Sequence, residues 1–124
     1  MLTVNELRIG NILSVIDEEK LDPSKVVSLD EVGLVQLEST AYPENIENIV
    51  GVPIPLVFFN ENEKIIEEVR AFGVIILPFK RRHHPVNSVH VKFYGRLIKA
   101  CIYIHELQNI MIELLGIDPW SIGT

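Results

Sequence analysis

Residues 80–100 gather most of the side chains able to do chemistry. His83, His84 and His90 stand among Lys80, Arg81, Arg82, Lys92, Arg96 and Lys99, with Tyr94 between them and no acidic residue in the stretch. Imidazoles of this kind can ligate a metal, while cations beside an aromatic ring can hold phosphate and stack a base. The metal reading is the weaker one. Adjacent residues in extended backbone point to opposite sides, and Pro85 biases His84 toward that geometry. No Asp, Glu or Cys lies in the segment, and the surrounding cations oppose a dication. No metal and no cofactor is expected, and His83 and His84 read as loop residues.

A second constellation lies further on, where His105 is followed by Glu106 and Asn109 and preceded by Cys101. A His–Glu pair is raw material for general acid–base catalysis. With no nucleophile spaced to meet it, a capping or inter-element hydrogen bond is the simpler use, with His105 on a surface face. The sequence has no glycine-rich phosphate loop, no HExxH and no GxSxG. No catalytic residue is therefore assigned. A small enzyme built around His105 stays as a lesser alternative.

Charge is unevenly spread. The chain of 124 residues carries a net charge of −6, yet residues 80–100 hold 6 of its 11 lysines and arginines. Residues 1–79 hold 14 acidic side chains against 5 basic ones. The basic block can be neutralised by the acidic part of the same chain, within a monomer or across a homodimer. It can also meet an anionic protein or, as the alternative, a nucleic acid. The residues expected to meet that partner are Arg81, Arg82, His90, Lys92, Tyr94 and Lys99.

Elements must position these residues. "LRIGNILSVI" reads as a first strand with a bulge or bend at Gly10-Asn11. "KVVSL" and "LVQLE" flank "DEVG" as a hairpin in which Leu29 meets Leu34 and Lys25 meets Glu38. "TAYPENIEN" reads as a loop, and "IVGVPIPL" as an edge strand or extended crossing because of Pro53 and Pro55. "NENEKIIEEVRAFG" is a helix capped near Asn60 and stopped by Gly73, with Ile65, Ile66, Val69 and Phe72 inward. "GVIILPF" returns as a strand.

The hairpin "VHVKFY-GR-LIKACI" turns at Gly95-Arg96. In that register Val89, Val91 and Phe93 face Ile102, Ala100 and Ile98, while His90, Lys92 and Tyr94 face Cys101, Lys99 and Leu97. The last helix, "YIHELQNIMIELLG", turns Tyr103, Leu107, Ile110, Met111 and Leu114 inward and ends at Gly116.

This order predicts an α+β fold, mostly antiparallel: a small N-terminal β-barrel-like part of SH3 or OB kind, then helix, strand, hairpin and C-terminal helix. One compact domain spanning 1–124 is expected, with a possible subdivision at 1–56 and 57–124. A single cysteine allows no internal disulfide, which suits a reducing cytoplasm. No apolar run is long enough to span a membrane, and Glu6 and Arg8 fall too early for a secretory segment.

"NELRIGN" (Asn5 to Asn11), "PIPL" (Pro53 to Leu56), "FGV" (Phe72 to Val74) and "YIHELQN" (Tyr103 to Asn109) follow in an order that resembles a known group. It consists of short uncharacterised proteins of Bacteroidetes and their phages or mobile elements. The resemblance spans nearly the whole chain, with departures at Val57 to Asn60 and at the "GIDPW" ending. It implies a bacterial or phage setting and carries over no site residue, because that group has no assigned function. A small non-enzymatic interaction module is the expected role.

Overall fold

The computed structural model describes residues 2–16, 21–55, 58–79 and 88–119. The chain divides into two compact units, Met1–Val52 and Pro53–Thr124. Both are antiparallel sheets, and helices belong to the second, so the fold is α+β.

The first unit is a five-stranded sheet in the order β4-β3-β2-β1-β5. Its strands are β1 Ile12–Val15, β2 Ser24–Leu29, β3 Leu34–Leu37, β4 Glu44–Asn45 and β5 Ile49–Gly51. Strands β4 and β5 are the two outermost strands, yet only a 3-10 turn, Ile46–Asn48, joins them. Across a flat sheet four strand spacings would separate them by about 19 Å. A 3-10 turn advances about 2 Å per residue and covers less than half of that. The sheet therefore coils on itself, as a partly open barrel does. A four-strand meander followed by a return beside β1 is compatible with the barrel-like expectation. The "TAYPENIEN" stretch, expected as loop, supplies both β4 and the turn.

Inside the coil lie Leu7, Leu13, Val26, Val35, Leu37 and Ile49. The expected bend is present: Gly10 has φ +94°, and the Asn11 side chain accepts from the Arg8 N–H at 2.7 Å. The hairpin register differs from expectation by one residue at its tip, where Leu29 pairs with Val35. Asp30 sets this turn, its carboxylate accepting from the N–H groups of Val32 and Leu34. A bulge at Val27 then restores phase, since Val26 pairs with Leu37 and the Glu38 N–H reaches the Lys25 carbonyl at 2.8 Å.

The second unit holds α1 Phe58–Glu61, α2 Glu63–Arg70, β6 Val74–Phe79, β7 Ser88–Phe93, β8 Arg96–Cys101 and α3 Ile104–Leu115. The expected single helix is broken at Asn62, which takes the N-cap position of α2 in place of Asn60. Ile66 and Val69 are buried as the period requires. Phe72 is instead 59% exposed, because the chain leaves the helix at Ala71 and turns through Gly73 at φ +84°. In the sheet β6-β7-β8, Val74, Ile76, Val89, Val91 and Cys101 form the buried face, against which α2 and α3 pack.

Gly116 ends α3 at φ +68°, as expected. The inward stripe of α3 is Ile104, His105, Leu107, Gln108 and Met111, while Ile110 and Leu114 are only half-buried. No helix among the described residues is long and apolar enough to cross a membrane.

Candidate functional site

The 88–101 hairpin carries four of the six sequence-derived partner residues. Arg81 and Arg82 lie outside the described residues, as do His83 and His84.

The turn is Tyr94–Gly95, not Gly95-Arg96. Tyr94 has φ +49° and Gly95 φ +84°. Two left-handed residues in succession make the two-residue turn whose twist matches the strands. Glycine suits the second position; tyrosine at the first is costly and has to be held. It is held in three ways. Its N–H donates to the Gly73 carbonyl at 2.9 Å, and its ring meets Phe93 edge-on at 4.5 Å. The ring also lies so close to Gly73 that a Cβ there would stand 2.8 Å from it. Tyr94 is thus 75% exposed and yet fixed in place.

Moving the turn by one residue changes every pairing after it. Phe93 pairs with Arg96 and Lys92 with Leu97; then an extra residue, Ile98, bulges out of β8. Beyond it Val91 pairs with Lys99, His90 with Ala100 and Val89 with Cys101. The expected register is overturned: Cys101 goes inward and Ala100 outward. Lys92 and Lys99 are not opposite each other but on opposite faces. His90 and Lys92 share the outer face with Leu97 and Ala100, and with Ile75 and Leu77 of β6 opposite them.

Lys99 lies on the helix side, where its Nζ stands 3.6 Å from Oε2 of Glu106. The other carboxylate oxygen of Glu106 accepts from the N–H groups of Ile102 and Tyr103, both at 3.0 Å. Glu106 therefore does the capping that the sequence reading gave to its neighbour His105. The His105 ring is only 1% exposed and stacks on Tyr103, 5.8 Å between centroids and 14° from parallel. The expectation of a surface histidine is thereby corrected. One turn further on, the buried Gln108 amide donates to both oxygens of Asp118, at 3.2 and 3.0 Å.

Cys101 is fully buried, and its thiol is pushed up from 9.0 to about 12. Burial is the main cause, the Glu106 carboxylate adds to it, and Lys99 opposes it. A thiol held in that state is a poor nucleophile, since the thiolate is the reactive form. Among the described residues no group of three or more His, Cys, Asp and Glu side chains could hold a metal ion.

Sequence reasoning turned Ile98 and Phe72 inward, gave Leu77 no face, and placed Leu97 on the outer face without giving it a role. For Ile98 the signal was the position of Gly95, which suits the second residue of a left-handed turn. Compared with protein-family models, curated proteins and solved structures, the chain matches none.

Proposed function

We propose that this protein is a non-enzymatic interaction module that binds an anionic partner through its C-terminal hairpin. One observation carries the reading. The β6-β7-β8 sheet is packed by helices on one face, while its other face exposes Leu77 and Leu97 beside Lys92 and His90. Apolar side chains rimmed by cations suit a protein partner, where desolvated aliphatic contacts give affinity and charges give orientation. The bacterial or phage setting rests on the sequence resemblance alone. A cytoplasmic location and a homodimer remain part of the same proposal.

Nucleic acid is the second reading, resting on Arg81, Arg82 and Lys92. It is weakened by the split of the cations between two faces and by the engagement of Lys99 with Glu106.

The test compares wild type with the Lys92→Glu, Leu97→Ser double variant, both immobilised against extract from the cell of origin. A partner retained by the first and lost by the second, at unchanged melting temperature, supports the module. A partner set indifferent to the variant counts against it. Turnover abolished by His105→Ala, in an activity screen, would replace it with the enzyme reading. Binding of a short labelled single strand, weakening steeply with salt, would favour nucleic acid.

A further inference from the structure

We propose that the exposed edge of β8 takes an extended acidic segment of a partner protein as a fourth strand of the β6-β7-β8 sheet. This deepens the interaction-module reading and rests on it.

Strand β8 is the last in its sheet, and residues 96–100 are all exposed. The two-residue turn makes Phe93 and Arg96 a hydrogen-bonded pair, so the N–H and C=O of Leu97 point away from β7. After the bulge, Ala100 and then Ile102 take the same outward phase. Ile102 shows that phase directly. Its carbonyl accepts from the Ile54 N–H at 3.0 Å, and its own N–H goes to Glu106.

The chain itself begins the fourth strand. Pro53 pairs with Tyr103 in the antiparallel sense, and Ile54 follows with its bond to Ile102. Among the described residues nothing continues the ladder onto Ala100 and Leu97. At Ile102 the edge thus accepts an antiparallel partner, and residues 96–100 beside it are exposed.

Charge selects the occupant. Arg96 makes no ion pair among the described residues, and Lys92 on the adjoining face makes none either. Two copies of β8 laid edge to edge would bring Arg96 and Lys99 of one against those of the other, a standard deterrent to self-pairing. The same cations favour a strand with carboxylates at alternate positions. Leu97 and Ile98, 54% and 43% exposed, offer apolar contact to the side chains between those carboxylates. The bulge twists the edge, which favours a short segment of about five residues over a long flat one.

The probes are two labelled hexapeptides, one alternating glutamate with valine and the other alternating lysine with valine. Anisotropy is read against the full chain at low and high salt. The glutamate peptide should bind with a dissociation constant below about 1 mM, at least about tenfold tighter than the lysine peptide, and weaken with salt. Ala100→Pro removes an outward donor without touching the β7 ladder and should weaken binding about tenfold at an unchanged melt. Arg96→Glu, at an exposed position, should reverse the peptide preference, and it serves if the proline variant fails to fold.

Equal binding of the two peptides, no binding of either, or indifference to both substitutions overturns the inference. So does tighter binding of a single-stranded oligonucleotide, or a light-scattering dimer that Ala100→Pro disperses. If partner retention depends on Lys92 and Leu97 while Ala100→Pro and Arg96→Glu change nothing, the module stands and the edge inference alone falls.

Discussion

Raising the pH should weaken this protein through Cys101 in a calculable way. The thiol is buried in the folded chain and held up to about 12, against 9.0 for the free group. The unfolded chain therefore loses this proton first as pH rises. Below pH 9 both states keep it and stability is unaffected. Between about 9 and 12 the folded state binds the extra proton, so stability falls by about 1.4 kcal/mol per pH unit. At pH 10 the loss attributable to this group is about 1.4 kcal/mol, which for a chain of this size lowers the melting temperature by about 5 °C. Lysines and tyrosines titrate in the same range, so the measurement is a difference. Urea unfolding of wild type and Cys101→Ala is followed from about pH 7 to 10.5. The variant begins with a constant deficit for its lost packing, and that deficit should shrink as pH passes about 9. A deficit that stays constant across the range would refute the reasoning. So would a native thiol that reacts with a thiol reagent as fast as an unfolded one.

The register is checked by Ile98→Ser and Cys101→Asp. The first should cost about 1 kcal/mol or less, because the side chain is half exposed, and the second several, because it places a carboxylate in the core; melts that rank them the other way would restore the sequence-derived pairing. Gly73→Ala should cost about 2 kcal/mol, combining a φ of +84° with a Cβ set against the Tyr94 ring. Part of that cost should vanish in a Tyr94→Ala background, and full additivity of the two in denaturant melts would contradict the contact. Glu106→Ala should cost about 1 to 2 kcal/mol by freeing two backbone donors at the start of α3. Lys99→Ala should cost well under about 1 kcal/mol, since its ion pair with Glu106 is half exposed; equal melting temperatures for these two variants would show that Glu106 does not cap the helix.

Glycines and hydrophobic periods made much of this fold legible. Gly10, Gly73 and Gly116 bend or stop elements where the sequence places them, each at positive φ. The strands β1, β2, β3, β6 and β7 follow from short apolar runs, with clear alternation in β7. What failed was phase. In β8 the residues at 98, 100 and 102 are all apolar, and 97 and 101 are apolar too, so hydropathy permits either face. Turn chemistry had to decide, and Tyr94 concealed it, because an aromatic ring in the left-handed region is sustained only by distant partners such as Gly73 and Phe93. Helix α3 misled in the same manner. Its inward stripe contains His105 and Gln108, polar residues that burial tolerates once they stack or hydrogen-bond, and a hydropathy count places them outside. Phe72 was assigned inward by its spacing from Val69, a rule that holds only while the helix continues.

Each unit contains one hairpin with one extra residue, Val27 in β2 and Ile98 in β8. In β2 the bulge restores a pairing that the turn had displaced. In β8 it has the larger consequence, because side chains alternate with a period of two and one inserted residue exchanges the faces. A block that looks like a single basic patch in the sequence is thereby divided. Lys99 is directed to the helix side and engages Glu106, Lys92 stays on the outer face, and Arg96 stands exposed at the start of β8. With the same turn, an unbulged β8 would set Lys99 opposite His90, on the face that carries Lys92, gathering the cations as phosphate binding would require. The bulge separates them, seats the Cys101 thiol in the core, and leaves cations around an apolar edge and face. That is why an acidic strand, rather than a phosphate backbone, is the occupant this geometry favours.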